Sequence, residues 1–140
     1  MPRTVSASRE LVAPRRDVWE FVAEPHNLPN WWPTIGGVVP DRRGLAPGAR
    51  WQVIAPSEPS LLRRPAAEDQ LVVVAADREA RLAFRLLKEK LDVELRIEAA
   101  GPGRTVAELD VSGSWWAGLS PSLPRRALDR LWSLCQTGAA

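Results

Sequence analysis

Residues 91–98 read Leu91-Asp92-Val93-Glu94-Leu95-Arg96-Ile97-Glu98, apolar and charged side chains in strict alternation. Successive side chains of a strand point to opposite faces, so this segment buries one face and wets the other. Gly101-Pro102-Gly103 then turns the chain, and Arg104 to Val111 returns with Thr105, Ala107, Leu109 and Val111 on one face. The same period extends upstream. Arg81–Leu87, Leu71–Ala75 and Ala49–Ala55 read as strands, the last with Trp51, Val53 and Ala55 on one side. Ile35–Val39 is a further short strand, interrupted by Gly36-Gly37, and Gly44–Gly48 is a turn. Pro56, Pro59 and Pro65 make the intervening stretch a loop. The connections are too short for crossover helices, so the sheet is expected to be antiparallel.

The ends of the chain change period. Thr4–Val12 alternates weakly and reads as the first strand; Ala13-Pro14 breaks it. Proline suits the start of a helix, and Asp17 suits its positive end. Val18, Trp19, Phe21 and Val22 form an apolar helical stripe that Pro25 terminates. Pro29 and Pro33 bracket a second short helical segment holding Leu28, Trp31 and Trp32. At the other end, Ser122 reads as a cap and Pro124 as a first-turn residue. Leu128, Leu131, Trp132 and Cys135 then share one helical face, and Gly138 is a stop signal. The pattern predicts an α+β fold in one domain, residues 1–140. About six to seven antiparallel strands curl around a C-terminal helix, with two short helices after strand 1 and a hollow inside.

Composition narrows function mainly by exclusion. The chain has 140 residues, 19 basic against 17 acidic, for a net charge of +2. That surplus does not argue for nucleic acid as a partner. One cysteine excludes an internal disulfide, and with one histidine it leaves no thiolate–imidazole metal cage. No P-loop and no GxGxxG follows a strand, so no nucleotide cofactor is expected. No stretch approaches the roughly 18 apolar residues of a membrane-spanning helix. The polar N-terminus has no signal-peptide core, so a cytoplasmic location is expected. Seven tryptophans and no tyrosine are the unusual feature.

The segment Ala13-Pro14, Val18-Trp19, Val22, Pro25, Leu28-Pro29, Trp31 and Pro33 resembles the entry segment of the helix-grip superfamily. That group includes START lipid-transfer domains, the birch pollen allergen, coenzyme-Q-binding proteins and polyketide cyclase/dehydrase proteins. Gly101-Pro102-Gly103-Arg104-Thr105 is similar to its late hairpin. The resemblance implies a curved antiparallel sheet gripping the last helix around a hydrophobic cavity. It carries no particular reaction. The chain departs from the cyclases in lacking tyrosine, and its closing helix, Pro124–Thr137, is short.

The expected partner is a small hydrophobic or amphipathic molecule, lipid, polyketide or isoprenoid-like, buried in that cavity. Trp51, Phe84, Leu95, Leu109, Leu128 and Trp132 are the candidate walls. Trp32 and Trp116 are the candidate rim, because neighbours in an extended doublet point to different sides. The loop from Pro56 to Pro65 is a candidate lid. Trp19 and Trp31 read as core, whereas Trp51 and Trp132 are open between core and ligand wall. Strict alternation would turn Arg9 inward; a bulge, or pairing with Glu10, Glu94 or Glu108, would relieve it. Arg85 is expected to face solvent. His26 has no evident orienting carboxylate, Cys135 reads as a small core residue, and Asp17, Glu20 and Glu24 read as a solvated helix side. No catalytic residue is assigned. Two other readings stay open: a cyclase/aromatase-like enzyme, favoured by two or more ionisable groups converging inside, and an interaction module. In the latter, exposed tryptophans bury against another chain or a second copy in a homodimer.

Overall fold

A computed structural model describes residues 3–54, 68–113 and 119–138. The element order is β1 (Arg3–Leu11), α1 (Arg15–Ala23), a 3-10 turn (Pro25–Asn27) and α2 (Leu28–Trp31). There follow β2 (Gly37–Val39), β3 (Arg50–Ile54), β4 (Glu68–Asp77), β5 (Arg81–Leu86), β6 (Leu91–Ala99), β7 (Thr105–Gly113) and α3 (Leu123–Gly138). The seven strands form one antiparallel sheet in the order β1-β7-β6-β5-β4-β3-β2. This is the helix-grip α+β architecture, with α3 packed chiefly against β1 and β7.

The alternation that defines β6 is realised in full: Leu91, Val93, Leu95 and Ile97 are buried. In β7, Leu109 stands directly opposite Leu95, and Val111 opposite Val93. Gly101 and Gly103 have φ of 124° and 69°, left-handed values that a side chain would strain, so the β6–β7 turn needs both glycines. β4 runs longer at both ends than its apolar core, because its polar positions still pair with β3 and β5. A bulge lies between Val73 and Ala75. β2 is shorter than expected, starting after Gly36. Pro14 stands at the cap of α1 in extended geometry (φ −66°, ψ 152°), just before the first helical residue.

β1 pairs with β7 without a break from Arg3 to Leu11, so no bulge rotates Arg9 outward. Arg9 does lie in the inward row, and neither Glu10, Glu94 nor Glu108 relieves it. Its guanidinium pairs with Asp129 of α3 and lies 4.5 Å from the centre of the Trp132 ring. The acids once eligible are engaged elsewhere, Glu10 with Arg104 at 3.0 Å and Glu108 with Arg96 at 3.0 Å. Arg85 faces solvent as expected, paired with Asp92 across β5–β6 at 2.6 Å.

The outer face of the sheet carries an ion network around Arg96, which meets Glu94 at 2.7 Å, Glu108 at 3.0 Å and Asp110 at 2.8 Å. Hydrogen bonds from Arg81, then Arg96, hold Glu94 below its ordinary value of 4.5. Partial burial works against Asp110, but the Ser6 hydroxyl and Arg96 keep it below 3.8. Carboxylates with depressed native pKa stabilise the fold above their unfolded values, and that contribution fades as pH falls through the native ones. The wild type is therefore expected to lose more stability than Arg96→Gln between pH 7 and pH 3. Urea denaturation of both proteins at the two pH values checks this; equal losses would remove the network from the account.

Candidate functional site

The end of α2 places Trp31 and Trp32 against the inner face of the sheet, where Phe84 and Trp51 stand on β5 and β3. Trp31, the last residue of α2, and Trp32, the next, are both fully buried. Trp32 stands edge-on to Trp31 at 6.1 Å between ring centres and to Phe84 of β5 at 5.9 Å. Such edge-to-face pairs each add about 0.5–1.5 kcal/mol beyond area burial. Trp51, on β3, is also buried and donates its indole N–H to the Gly44 carbonyl at 2.7 Å.

Beside the Trp51 and Phe84 rings lies the remnant of the expected hollow. It is walled by Val22 and Leu28 from the helices, Trp51 from β3, Leu71 and Val73 from β4, and Phe84 from β5. Its volume is about 10 Å³, room for no more than a single water. Among the described residues, side chains thus fill the open interior expected from sheet curvature. The rim position expected for Trp32 is also corrected, since its ring forms part of the filling.

Trp51 and Phe84 are walls of this void, and Leu95, Leu109 and Leu128 are buried in the same core cluster. Trp132 is half-buried and packs under Arg9 at the α3–β1 seam. Trp116 and the candidate lid at 56–65 lie outside the described residues.

Polar groups are scarce inside. Thr105 is the only buried polar or charged residue among the described residues, and its hydroxyl donates to the Ala13 carbonyl at 2.7 Å. Trp32 donates its N–H to the Thr34 hydroxyl at 2.8 Å, which in turn donates to Glu89 at 3.5 Å. Burial, then the like charge of Asp69, pushes the Glu89 carboxyl above its ordinary value. Asp69 is held in place by the Lys88 and Glu89 backbone N–H groups at 2.6 and 3.2 Å. One donor has no acceptor among the described residues: the fully buried indole N–H of Trp31. An unmet buried donor costs about 1–3 kcal/mol.

His26 is not part of this interior. It is exposed, and its Nδ1 lies 2.9 Å from a Glu24 oxygen. The carboxylate missing from the sequence reading was two residues upstream, across Pro25. Hydrogen bonds from the His26 ring, then from its backbone N–H, lower Glu24. Cys135 is half-buried and packs against the core, as expected, and it also lines a separate cleft between α1 and α3. A hollow of about 440 Å³ at Gln52, Asp69, Gln70, Leu87 and Lys88 is shallow and lies on the surface between β3, β4 and the turn after β5. Among the described residues no cluster of three or more His, Cys, Asp or Glu could hold a metal, and no helix is long and apolar enough to cross a membrane.

The family described as polyketide cyclase / dehydrase and lipid transport matches residues 2–132, and the chain belongs to it. No curated protein matches the sequence. Among solved structures, a conserved protein of unknown function from Enterococcus faecalis is similar with a TM-score of 0.73 at 15% identity, covering 99% of this chain and 74% of that one. A norcoclaurine synthase point mutant from Thalictrum flavum, in complex with a transition-state analogue, has a TM-score of 0.68 at 14% identity, covering 100% and 98%. A START superfamily protein from Mycobacterium smegmatis has a TM-score of 0.64 at 16% identity, covering 97% and 95%. These likenesses concern the fold.

Proposed function

We propose that the protein binds a small hydrophobic or amphipathic molecule, of lipid, polyketide or isoprenoid type, between the curved sheet and the helices, and holds it without chemical change. One observation carries this reading: the walls of the interior void bear no ionisable side chain. A cyclase needs proton-transfer groups within about 2.6–3.2 Å of its substrate. Glu89 reaches the interior only through Thr34 and the Trp32 ring. Two converging ionisable groups, the signature of the enzyme reading, are absent among the described residues. Because the void is about 10 Å³, occupancy requires the aromatic side chains around it to move. The driving force is burial of ligand surface, about 25 cal/mol per Å².

Native mass spectrometry of the purified protein, then tryptophan-fluorescence titration with dodecanoate, decan-2-one and decane, tests the proposal. Saturable emission changes are expected, because the interior aromatic rings must repack. Empty extracts together with unchanged emission for every probe would overturn the binding reading.

A further inference from the structure

We infer that the cleft between α1 and α3 is a second binding site, one that takes a small apolar molecule bearing a protonated amine. It shares no wall residue with the interior void and does not depend on the reading above. Its volume is about 280 Å³, just below the roughly 300–1,000 Å³ of drug-sized ligand sites, so its occupant is of one-ring size. Val12, Pro14, Phe21 and Leu134 make the walls apolar. Val12 is 45% exposed, apolar surface that the fold leaves uncovered at the cleft.

Only Asp17 and Cys135 bring polar side chains to these walls. The thiol stays protonated, since burial first and the Asp17 charge second raise its pKa. The carboxylate is therefore the one charge on the lining, and no ion pair engages it among the described residues. Arg16, its neighbour in sequence, is turned to Glu20 at 3.4 Å. Arg15 is exposed and is not a wall residue. The last turn of α3 brings negative partial charge and no basic residue to the cleft, while the first turn of α1, which carries Asp17, brings positive partial charge, so the two helix ends oppose one another and the Asp17 carboxylate decides the preference. The Asp17 carboxylate repels an anion, and a neutral alcohol gains apolar contact and a hydrogen bond without charge attraction. A protonated amine gains both that contact and a charge-assisted hydrogen bond.

The test compares cyclohexylmethylamine, cyclohexylmethanol and cyclohexanecarboxylate, which share one apolar body. Binding is followed by backbone amide shifts and by the rate at which iodoacetamide alkylates Cys135, the chain's single thiol. The amine should bind about three- to fivefold more tightly than the alcohol, the gain of an ion pair at an exposed carboxylate. The carboxylate should bind most weakly. Shifts should centre on Asp17, Phe21 and Leu134, and the amine should slow alkylation. Asp17→Asn, at an exposed position, should bring the amine down to the alcohol while circular dichroism stays unchanged. Equal binding of amine and alcohol to the wild type would overturn the inference. So would an amine preference that survives in Asp17→Asn, shifts located elsewhere, or no binding of the three at millimolar concentration.

Discussion

Trp32→Ala should lower the free energy of unfolding by about 3–5 kcal/mol, the range for removing a fully buried tryptophan. The ring is 0% exposed, touches Trp31 and Phe84 edge-on, and anchors its N–H on Thr34. Its loss removes apolar burial, two aromatic pairs and the link to Glu89 together. At roughly 2–4 °C per kcal/mol for a domain of this size, the midpoint should fall by about 10 °C. Trp132→Ala is the control. That ring is half-buried and its special contact is with Arg9, so the cost should stay near 1 kcal/mol. Urea denaturation of both variants measures the contrast. A Trp32 loss no larger than that of Trp132 would mean the ring is a mobile rim residue, as the sequence pattern suggests. The truncation also enlarges the collapsed void beside Phe84. Small aromatic molecules should therefore bind the variant and raise its midpoint, as they do where an apolar cavity has been cut into a core.

Trp32 lies in the core, not at the rim, because of the backbone at the end of α2. Side chains of adjacent residues oppose one another only where the backbone keeps one conformation. Here α2 ends at Trp31, and Trp32 adopts φ −92° and ψ 114°, so the backbone turns between the two rings and both enter the core. The strands were legible because a period of two survives in the side chains of β6 and β7 without knowledge of the partner strand. The partner of Arg9 was not legible, because Asp129 lies on the last helix and meets β1 only after the sheet has curled. The filled interior was not legible either. Hydrophobic pattern fixes which residues face inward, whereas residual volume depends on rotamers and on the approach of α2 to the sheet. The α1–α3 cleft escaped for a similar reason. Cys135 shares the apolar face of α3, yet with Leu134 it also lines the cleft whose other side is Asp17 and Phe21 of α1.

Thr105→Val should destabilise the protein more than Thr105→Ser, the reverse of what strand preference and hydrophobicity imply. Valine matches threonine in shape and favours strands. At this position, however, the hydroxyl is what matters. Thr105 opens β7, is 0% exposed, and stands opposite Leu11 on one side and Ala99 on the other. Its Oγ1 donates at 2.7 Å to the carbonyl of Ala13, the residue between the end of β1 and the cap of α1. Valine leaves that carbonyl without its donor in a part-buried place, at a cost of about 1–3 kcal/mol. Serine keeps the bond and gives up one methyl group, about 0.8 kcal/mol. The difference should also be local. Asp17 and Val18 donate their backbone N–H groups to Pro14 at 3.0 and 3.1 Å, so loosening Ala13 frees the first turn of α1. Hydrogen exchange at Asp17 and Val18 should accelerate in Thr105→Val and stay near wild type in Thr105→Ser. Since Ala13 and Pro14 also wall the α1–α3 cleft, the valine variant should hold an amine probe there more weakly than the serine variant does. Valine tolerated as well as serine, with unchanged exchange, would show that the β1–α1 corner is fixed by strand pairing alone.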